Sequence, residues 1–392
     1  MEYCPIKEGA ISSPHAIAVE YLGTGITYAR FDRDIDAITT PKRLCLYEPP
    51  SYSLICSIFS AFRNGSTLFI ANTKIPKGEI EKIDYGYFQG LILMTSGSTA
   101  SPKLAQVSLE NLYYNALGTL SAIDLKPQDR YLLSLPLYHV SGMGILWRTF
   151  LRKSTLVLPD PNSDLTTLLS RRNITHASLV PTQLSRLLSN HPPDFPCLKC
   201  LLLGGAPIQP TLYQKGCDNN LPIFLTYGLT ETASAIVISK NPILKDSLLY
   251  LGHPLPYREL KVEGEIFVKG EVLFQGYYGE PKPSGWLATR DLGLYDSKLG
   301  LAICGRKDRM FISGGENIQP EEIERVLLLH PAVLEAYVTS EKNIEFGSVP
   351  IAYVKYDYLC DLKGFLKNHL PKYKIPKKIK IMPQDLVNKK LA

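Results

Sequence analysis

The sequence predicts an α/β fold, and three features carry that expectation. Short apolar runs alternate with helix-patterned stretches and polar turns, as in residues 54–62, the turn Asn64-Gly65-Ser66 and the run at 67–72. Several apolar runs break into loops of glycine, hydroxyl and small residues, the layout of strands whose ends carry a site. From Gly252 onward strands shorten and turns tighten, and 392 residues suit two or three domains or one large domain with a smaller partner.

Composition narrows the class. The apolar fraction is 45%, ordinary for a chain with a sizeable core. There is no apolar run of about 18 residues and no charged-then-apolar leader, so a soluble cytoplasmic protein without stable membrane insertion is expected. Eight cysteines sit mostly inside apolar runs, around Cys45 and Cys304 for example, which fits buried thiols in a reducing compartment. Cys197 and Cys200 form a C-x-x-C with no second pair at zinc spacing, and the run at 197–203 reads as a strand with core thiols. Net charge is +6, and residues 361–392 hold nine Lys against two Asp. No nucleic-acid motif accompanies that basic end, so a solvated face or a surface meeting a phosphate-bearing small molecule is the better reading. Oligomeric state is open, a homo-oligomer included.

Taken in order, the first site-like stretch is Leu91-Ile92-Leu93-Met94 running into Thr95-Ser96-Gly97-Ser98-Thr99-Ala100-Ser101-Pro102-Lys103. A buried strand leads into a loop whose small residues let backbone N–H groups approach a polyanion, with Lys103 adding positive charge. A Ser/Thr-rich surface turn is the plain alternative. The loop is not a Walker A motif, because Pro102 replaces its second glycine and Leu104 follows the lysine. A helix is expected over 110–122, then a buried strand from Tyr131 that breaks at Pro136-Leu137-Tyr138-His139. A lone histidine is commonly a satisfied core residue, but a strand end favours a pocket wall.

Arg148 is the one charge in the apolar stretch 143–151. It either snorkels to solvent or, if buried, needs an anion such as a substrate carboxylate. Strand-to-loop steps recur at His176–Leu184, with Ser178 on the strand, at Leu203-Gly204-Gly205-Ala206, and at Thr226-Tyr227-Gly228-Leu229-Thr230-Glu231. At least four strands of one sheet are therefore expected to end in site residues. Tyr227 offers a face for adenine, Gly228 close approach, and Glu231 an acceptor-only carboxylate suited to Mg²⁺. Further on come Thr289-Arg290-Asp291, with a carboxylate able to bridge two hydroxyls, and Gly305-Arg306-Lys307-Asp308, then Gly314-Gly315. Pro320 opens a helix whose Ile323, Val326 and Leu327 share one face.

These motifs, in this order and over essentially the whole chain, resemble the adenylate-forming (AMP-binding) superfamily of acyl-CoA synthetases. The resemblance implies that superfamily's fold: a large domain of sheets flanked by helices, placed at 1–307, and a small mobile α+β domain at 308–392 that rotates. It implies that Thr95, Ser96, Gly97, Ser98, Thr99 and Lys103 hold ATP phosphates. Gly204, Gly205, Ala206, Tyr227, Gly228 and Thr230 would bind the rest of the nucleotide. Asp291 would take the ribose, and Arg306 ribose or phosphate. Glu231 would hold Mg²⁺, Asp308 would be the hinge, and Gly314 and Gly315 would pass the pantetheine of coenzyme A. Lys389 falls at the position of the catalytic lysine, with Glu231 and His139 beside it in the catalytic set. Glycines of the family pattern are replaced here by Ala100, Leu104, Arg290 and Asn388, and its arginine near the end by Gln384.

Residues 135–148 and 175–184 are most similar to the o-succinylbenzoate–CoA ligase branch, which serves menaquinone biosynthesis. That substrate has two carboxylates, and His139, Arg148 and Ser178 would line its pocket. The implied reaction is MgATP-dependent acyl-adenylate formation, then thioester formation with coenzyme A. Open alternatives are a ligase for another aryl or fatty acid, an adenylating enzyme loading a carrier protein, and a non-catalytic nucleotide-binding relic.

Overall fold

The computed structural model describes residues 4–95, 102–161, 163–189, 194–358 and 360–383. Continuous apolar runs become the central strands, because a strand covered on both faces has no polar side to show. Cys200–Leu203 and His176–Leu179 are buried at every residue. They lie in an eight-stranded sheet ordered Ser234–Ser239, Ile223–Leu229, Cys200–Leu203, His176–Leu179, Arg130–Leu132, Thr155–Val157, Ile17–Tyr21, Thr24–Thr27. Its interior pairings are parallel and its two edge pairings antiparallel.

A four-stranded sheet holds Arg43–Leu46, Thr67–Ile70, Gly90–Thr95 and Lys103–Val107. The strand at 91–94 thus belongs to a different sheet from the other site strands. One core joins both sheets through three helices: Tyr52–Arg63, Leu109–Leu120 and Val140–Leu151. Ser51 and Ser108 start the first two by accepting from the backbone N–H three residues on, which satisfies donors the helix itself cannot. Val140–Leu151 is apolar around nearly its whole circumference, which suits a helix enclosed by protein.

A six-stranded antiparallel sheet follows, ordered Ile243–Lys245, Leu248–Tyr250, Gly300–Arg306, Leu287–Asp296, Glu265–Gly270, Arg258–Glu263. It carries the shorter strands and tighter turns expected after Gly252. Beyond it, Phe311–Ser313 pairs with Glu316–Ile318, and Val333–Asn343, Gly347–Tyr356 and Lys378–Ile381 make a three-stranded sheet. The helix Pro320–Leu328 buries Ile323 and Leu327 with Val338, Ala352 and Leu366 in a separate core, with Val326 packed at its margin.

Several local expectations need correction. All eight cysteines are free, but only Cys56 and Cys200 are buried, and Cys45 is exposed. Cys45 lies on Arg43–Leu46, an edge strand of the four-stranded sheet with one face open. The 197–203 strand begins only at Cys200, and among the described residues no group of His, Cys, Asp and Glu could hold a metal by itself. Tyr227-Gly228-Leu229 is strand rather than loop, bulged between Tyr227 and Gly228. Among the described residues no helix is long and apolar enough to cross a membrane.

Candidate active site

The strands on either side of the expected phosphate loop form a β-hairpin. Gly90–Thr95 and Lys103–Val107 pair antiparallel with Thr95 opposite Lys103, whose carbonyl accepts from Thr95 Oγ1 at 3.4 Å. Ser96, Gly97, Ser98 and Thr99 lie outside the described residues, as do Lys389, Gln384 and Asn388. The Lys103 ammonium pairs with Glu280 at 2.8 Å and stands 4.6 Å from the centre of the Tyr277 ring. The Tyr277 hydroxyl donates to the Glu231 carboxylate. A lysine and a carboxylate from distant parts of the chain therefore meet around one tyrosine. The residues flanking Tyr277 lie along Lys103–Val107 through an isolated antiparallel bridge between Ala105 and Tyr277, with Gln275 N–H donating to Gln106 O at 2.7 Å and Tyr278 N–H to Leu104 O at 2.8 Å. Burial, then the Glu231 charge, pushes the Tyr277 phenol above its ordinary value, so it stays a donor at neutral pH.

A second group of residues gathers on Asp291. This carboxylate is buried, accepts from the Tyr227 hydroxyl at 2.7 Å and pairs with Arg306 at 3.1 Å. Burial pushes its carboxyl above the ordinary range, against the pull of Tyr227 and Arg306. Arg306 also reaches Asp308 at 3.2 Å. Burial alone would raise Asp308, but Arg306 outweighs it and the carboxyl lies below its ordinary value. Arg290, where the family pattern has glycine, holds φ +64 with its N–H donating to Glu265 at 2.9 Å. A left-handed residue is needed there, and arginine takes that conformation at some strain.

Gly228 allows close approach, but the partner is the chain itself: a Cβ there would meet Ser234 O at 2.0 Å. Thr230 and Glu231 follow in one 3₁₀ turn, Thr230–Thr232. Gly204 is buried against Thr226, while Gly205 and Ala206 are exposed just past the strand. Gly314 and Gly315 form the turn of the hairpin after Phe311–Ser313, at φ +56 and +88. Two consecutive positive φ values there call for glycine.

The third group surrounds Arg148. It is 1% exposed, so it does not snorkel to solvent. Its Nη2 is 3.4 Å from both Tyr131 Oη and Ser178 Oγ, and its Nε has no partner. Among the described residues no carboxylate pairs with it. His139 sits at the start of Val140–Leu151, exposed, with its ring 4.7 Å from that of Tyr138. Although the residue keeps solvent contact, its neighbours partly desolvate the ring, and this, then the Lys74 charge, holds its pKa below the ordinary value. A cavity of about 550 Å³ lined by Leu120, Asp124, Lys126, Arg152 and Lys153 lies at the opposite end of that helix and holds none of these residues.

Sequence reasoning missed Tyr277 and Tyr131. The first lies in the short segment Gly276-Tyr277-Tyr278, which carries no motif, and the second is one residue of a buried strand. Nothing local marks either, because their partners are distant in sequence. Arg309 was likewise unmarked, yet it pairs with the buried Glu321 and Glu324 at 2.9 and 2.7 Å and ties the start of the C-terminal part to its helix.

The chain matches the models for AMP-binding enzyme over residues 91–278 and AMP-binding enzyme C-terminal domain over 322–390. It is 40% identical to 2-succinylbenzoate–CoA ligase of Escherichia coli over 75% of this chain, and spans 65% of that relative's length. It is 34% identical to the ligase of the same name from Bacillus licheniformis, over 80% of this chain and 71% of the relative. Among solved structures it resembles o-succinylbenzoate coenzyme A synthetase (MenE) from Bacillus subtilis in complex with ATP and magnesium ion. That match has a TM-score of 0.82 and 27% identity, and covers 96% of this chain and 95% of that one. The complex of the same synthetase with the acyl-adenylate intermediate OSB-AMP gives 0.83 and 27%, over 98% and 96%. With its motifs in order, its fold matched throughout and relatives well above 30% identity, the chain belongs to the AMP-binding, adenylate-forming enzymes.

Proposed function

We propose that this chain is an AMP-forming acid–thiol ligase that joins o-succinylbenzoate to coenzyme A, in menaquinone biosynthesis in the cytoplasm. The observation that carries the choice of acid is Arg148. A buried guanidinium without a carboxylate partner is costly, and a substrate with a second carboxylate supplies what it lacks. The names of the relatives support the same acid.

In the first step a carboxylate oxygen of the acid attacks the α-phosphorus of ATP. A P–O bond forms, the bond to the leaving oxygen breaks, and pyrophosphate departs. Such transfers depend mainly on positioning and charge neutralisation. Lys103 and the loop from Thr95 to Thr99 would hold the phosphates, Asp291 the ribose with Arg306 beside it, and Tyr227 the base. Glu231 fits Mg²⁺, since it is a half-buried carboxylate fixed by Tyr277, and this ion takes one or two carboxylates with phosphates and water completing its shell. Bound there, Mg²⁺ would neutralise phosphate charge. Lys389 would orient the attacking carboxylate.

In the second step the thiol of coenzyme A attacks the acyl carbon. A C–S bond forms, AMP leaves with the C–O electron pair, and the thiol proton passes to solvent. The two steps need different surroundings at one reacting carbon, so residues 308–392 turn about Asp308, withdraw Lys389 and bring Gly314-Gly315 toward the pantetheine.

The test is pyrophosphate release with MgATP and o-succinylbenzoate, benzoate or a medium-chain fatty acid, without and with coenzyme A. Release that requires o-succinylbenzoate, with thioester only on adding coenzyme A, is expected. Release with the other acids alone removes the assigned substrate. No release with any acid leaves a nucleotide-binding relic.

A further inference from the structure

Tyr131 is fully buried, and three contacts converge on it. Its hydroxyl lies 2.8 Å from Ser178 Oγ, Arg148 Nη2 lies 3.4 Å from that hydroxyl, and Arg148 Cζ stands 5.5 Å from the ring centre. Ser178 is itself pinned, because its N–H donates to Ser134 Oγ at 3.2 Å while Ser134 Oγ donates back to Ser178 O at 2.5 Å. On the other side Gly144 leaves room: a Cβ there would come 2.9 Å from Arg148 Nη1.

The guanidinium is therefore aimed but not neutralised. Its hydroxyl contacts are long, and a neutral acceptor lowers the cost of a buried cation without cancelling its charge. The ring face adds attraction that fixes orientation. His176, with its ring 5.7 Å from that of Tyr131, contributes no competing cation at neutral pH, because burial pushes it down to about 4.

We infer that Tyr131 is a positioning residue that holds Arg148 in the pose that reads the second carboxylate of the acid, with Gly144 providing the space, so that this pair sets the preference for diacids. The inference rests on the function proposed above.

The experiment compares wild type, Tyr131→Phe and Gly144→Ala by the KM for o-succinylbenzoate, the kcat of pyrophosphate release, and inhibition by the analogue whose ring carboxylate is a neutral ester. Tyr131→Phe is expected to raise the KM about tenfold, the loss of one hydrogen bond to a charged group, with kcat within about twofold. Inhibition by the ester is expected to stay unchanged, so discrimination between diacid and ester shrinks. Gly144→Ala is expected to shrink it in the same way by displacing Nη1. A purely structural tyrosine would lower the melting temperature and leave discrimination intact. Wild-type discrimination in the folded variants overturns the inference, and Gly144→Ala alone decides it if Tyr131→Phe does not fold. Failure of the wild type to use o-succinylbenzoate at all is a separate result that overturns the substrate assignment and this inference with it.

Discussion

Replacing Arg148 by methionine is expected to make the protein more stable and less useful. Arg148 is 1% exposed with its Nε unpartnered and only hydroxyls near Nη2. Methionine replaces the aliphatic stem of arginine and removes the charge, though it has three fewer heavy atoms, and Tyr131 Oη and Ser178 Oγ still satisfy each other at 2.8 Å. Exchanging a buried charge for a well-packed apolar side chain stabilises by about 1–4 kcal/mol. With an unfolding entropy of about 2.1 cal/mol/K per residue and roughly 300 residues in the cooperative unit, the melting midpoint should rise by about 2–6 °C. The same change removes the partner of the second carboxylate, a charge-assisted contact whose loss costs about 3–5 kcal/mol, or roughly 10²–10⁴-fold in kcat/KM for o-succinylbenzoate. Calorimetry of the ligand-free protein and pyrophosphate release measure the two halves. A midpoint that falls refutes the unpaired charge, and undiminished turnover of the diacid refutes its role in recognition.

Tyr277→Phe removes the hydroxyl that fixes Glu231, and the Mg²⁺ concentration needed for half-maximal pyrophosphate release should rise about tenfold or more; an unchanged Mg²⁺ curve would separate Tyr277 from the metal. Asp291→Asn weakens acceptance of the ribose hydroxyls and the pairing with Arg306, so the KM for ATP should rise about 10–100-fold while that for the acid moves little; steady-state kinetics in both substrates decide it. His176 titrates near 4 in the folded protein against an ordinary value of 6.5, through burial and the Lys199 charge, with Asp129 opposing. The unfolded chain then binds the proton more tightly, so this contribution is complete above pH 6.5 and lost as pH falls toward 4, about 3 kcal/mol in all. Urea unfolding of His176→Gln from pH 7 to 4 should show a shallower loss than wild type, and parallel curves would contradict the assignment.

Local chemistry was readable where one stretch of chain carries both its shape and its function. Pro320 announces a helix start, and Gly228 a tight approach three residues before the acceptor Glu231, whereas Gly314-Gly315 suggests close approach and proves to be a hairpin turn. Arg148 was flagged by being a charge in an apolar stretch, though sequence left open whether it reached solvent. Other features depend on pairings that no local pattern encodes. Lys103–Val107 returns along Gly90–Thr95 and then holds residues 275–278 through one isolated bridge and its backbone hydrogen bonds, so Tyr277 reaches Glu231 by a pairing between segments about 170 residues apart. Cys45 looked like a core thiol, but its strand lies at a sheet edge, and edge position is a property of the whole sheet. The need for a left-handed residue at Arg290 was visible only as a departure from the family's glycine.

Arg306 links the two tasks that the proposed reaction keeps apart in time. Its guanidinium touches Asp291, the proposed ribose acceptor, and Asp308, the proposed hinge, while its backbone N–H donates to Glu321 at the start of the helix Pro320–Leu328. Burial already pushes the Asp291 carboxyl upward, so without Arg306 only Tyr227 would hold it charged. Asp308 is less buried and is held low chiefly by Arg306. One cation therefore serves two carboxylates, and movement at Asp308 changes what Asp291 has left. Ribose hydroxyls donating to Asp291 would replace part of that support and lower the cost of releasing Arg306. Nucleotide occupancy and rotation of the C-terminal part would then be coupled through a single side chain, with no longer path required.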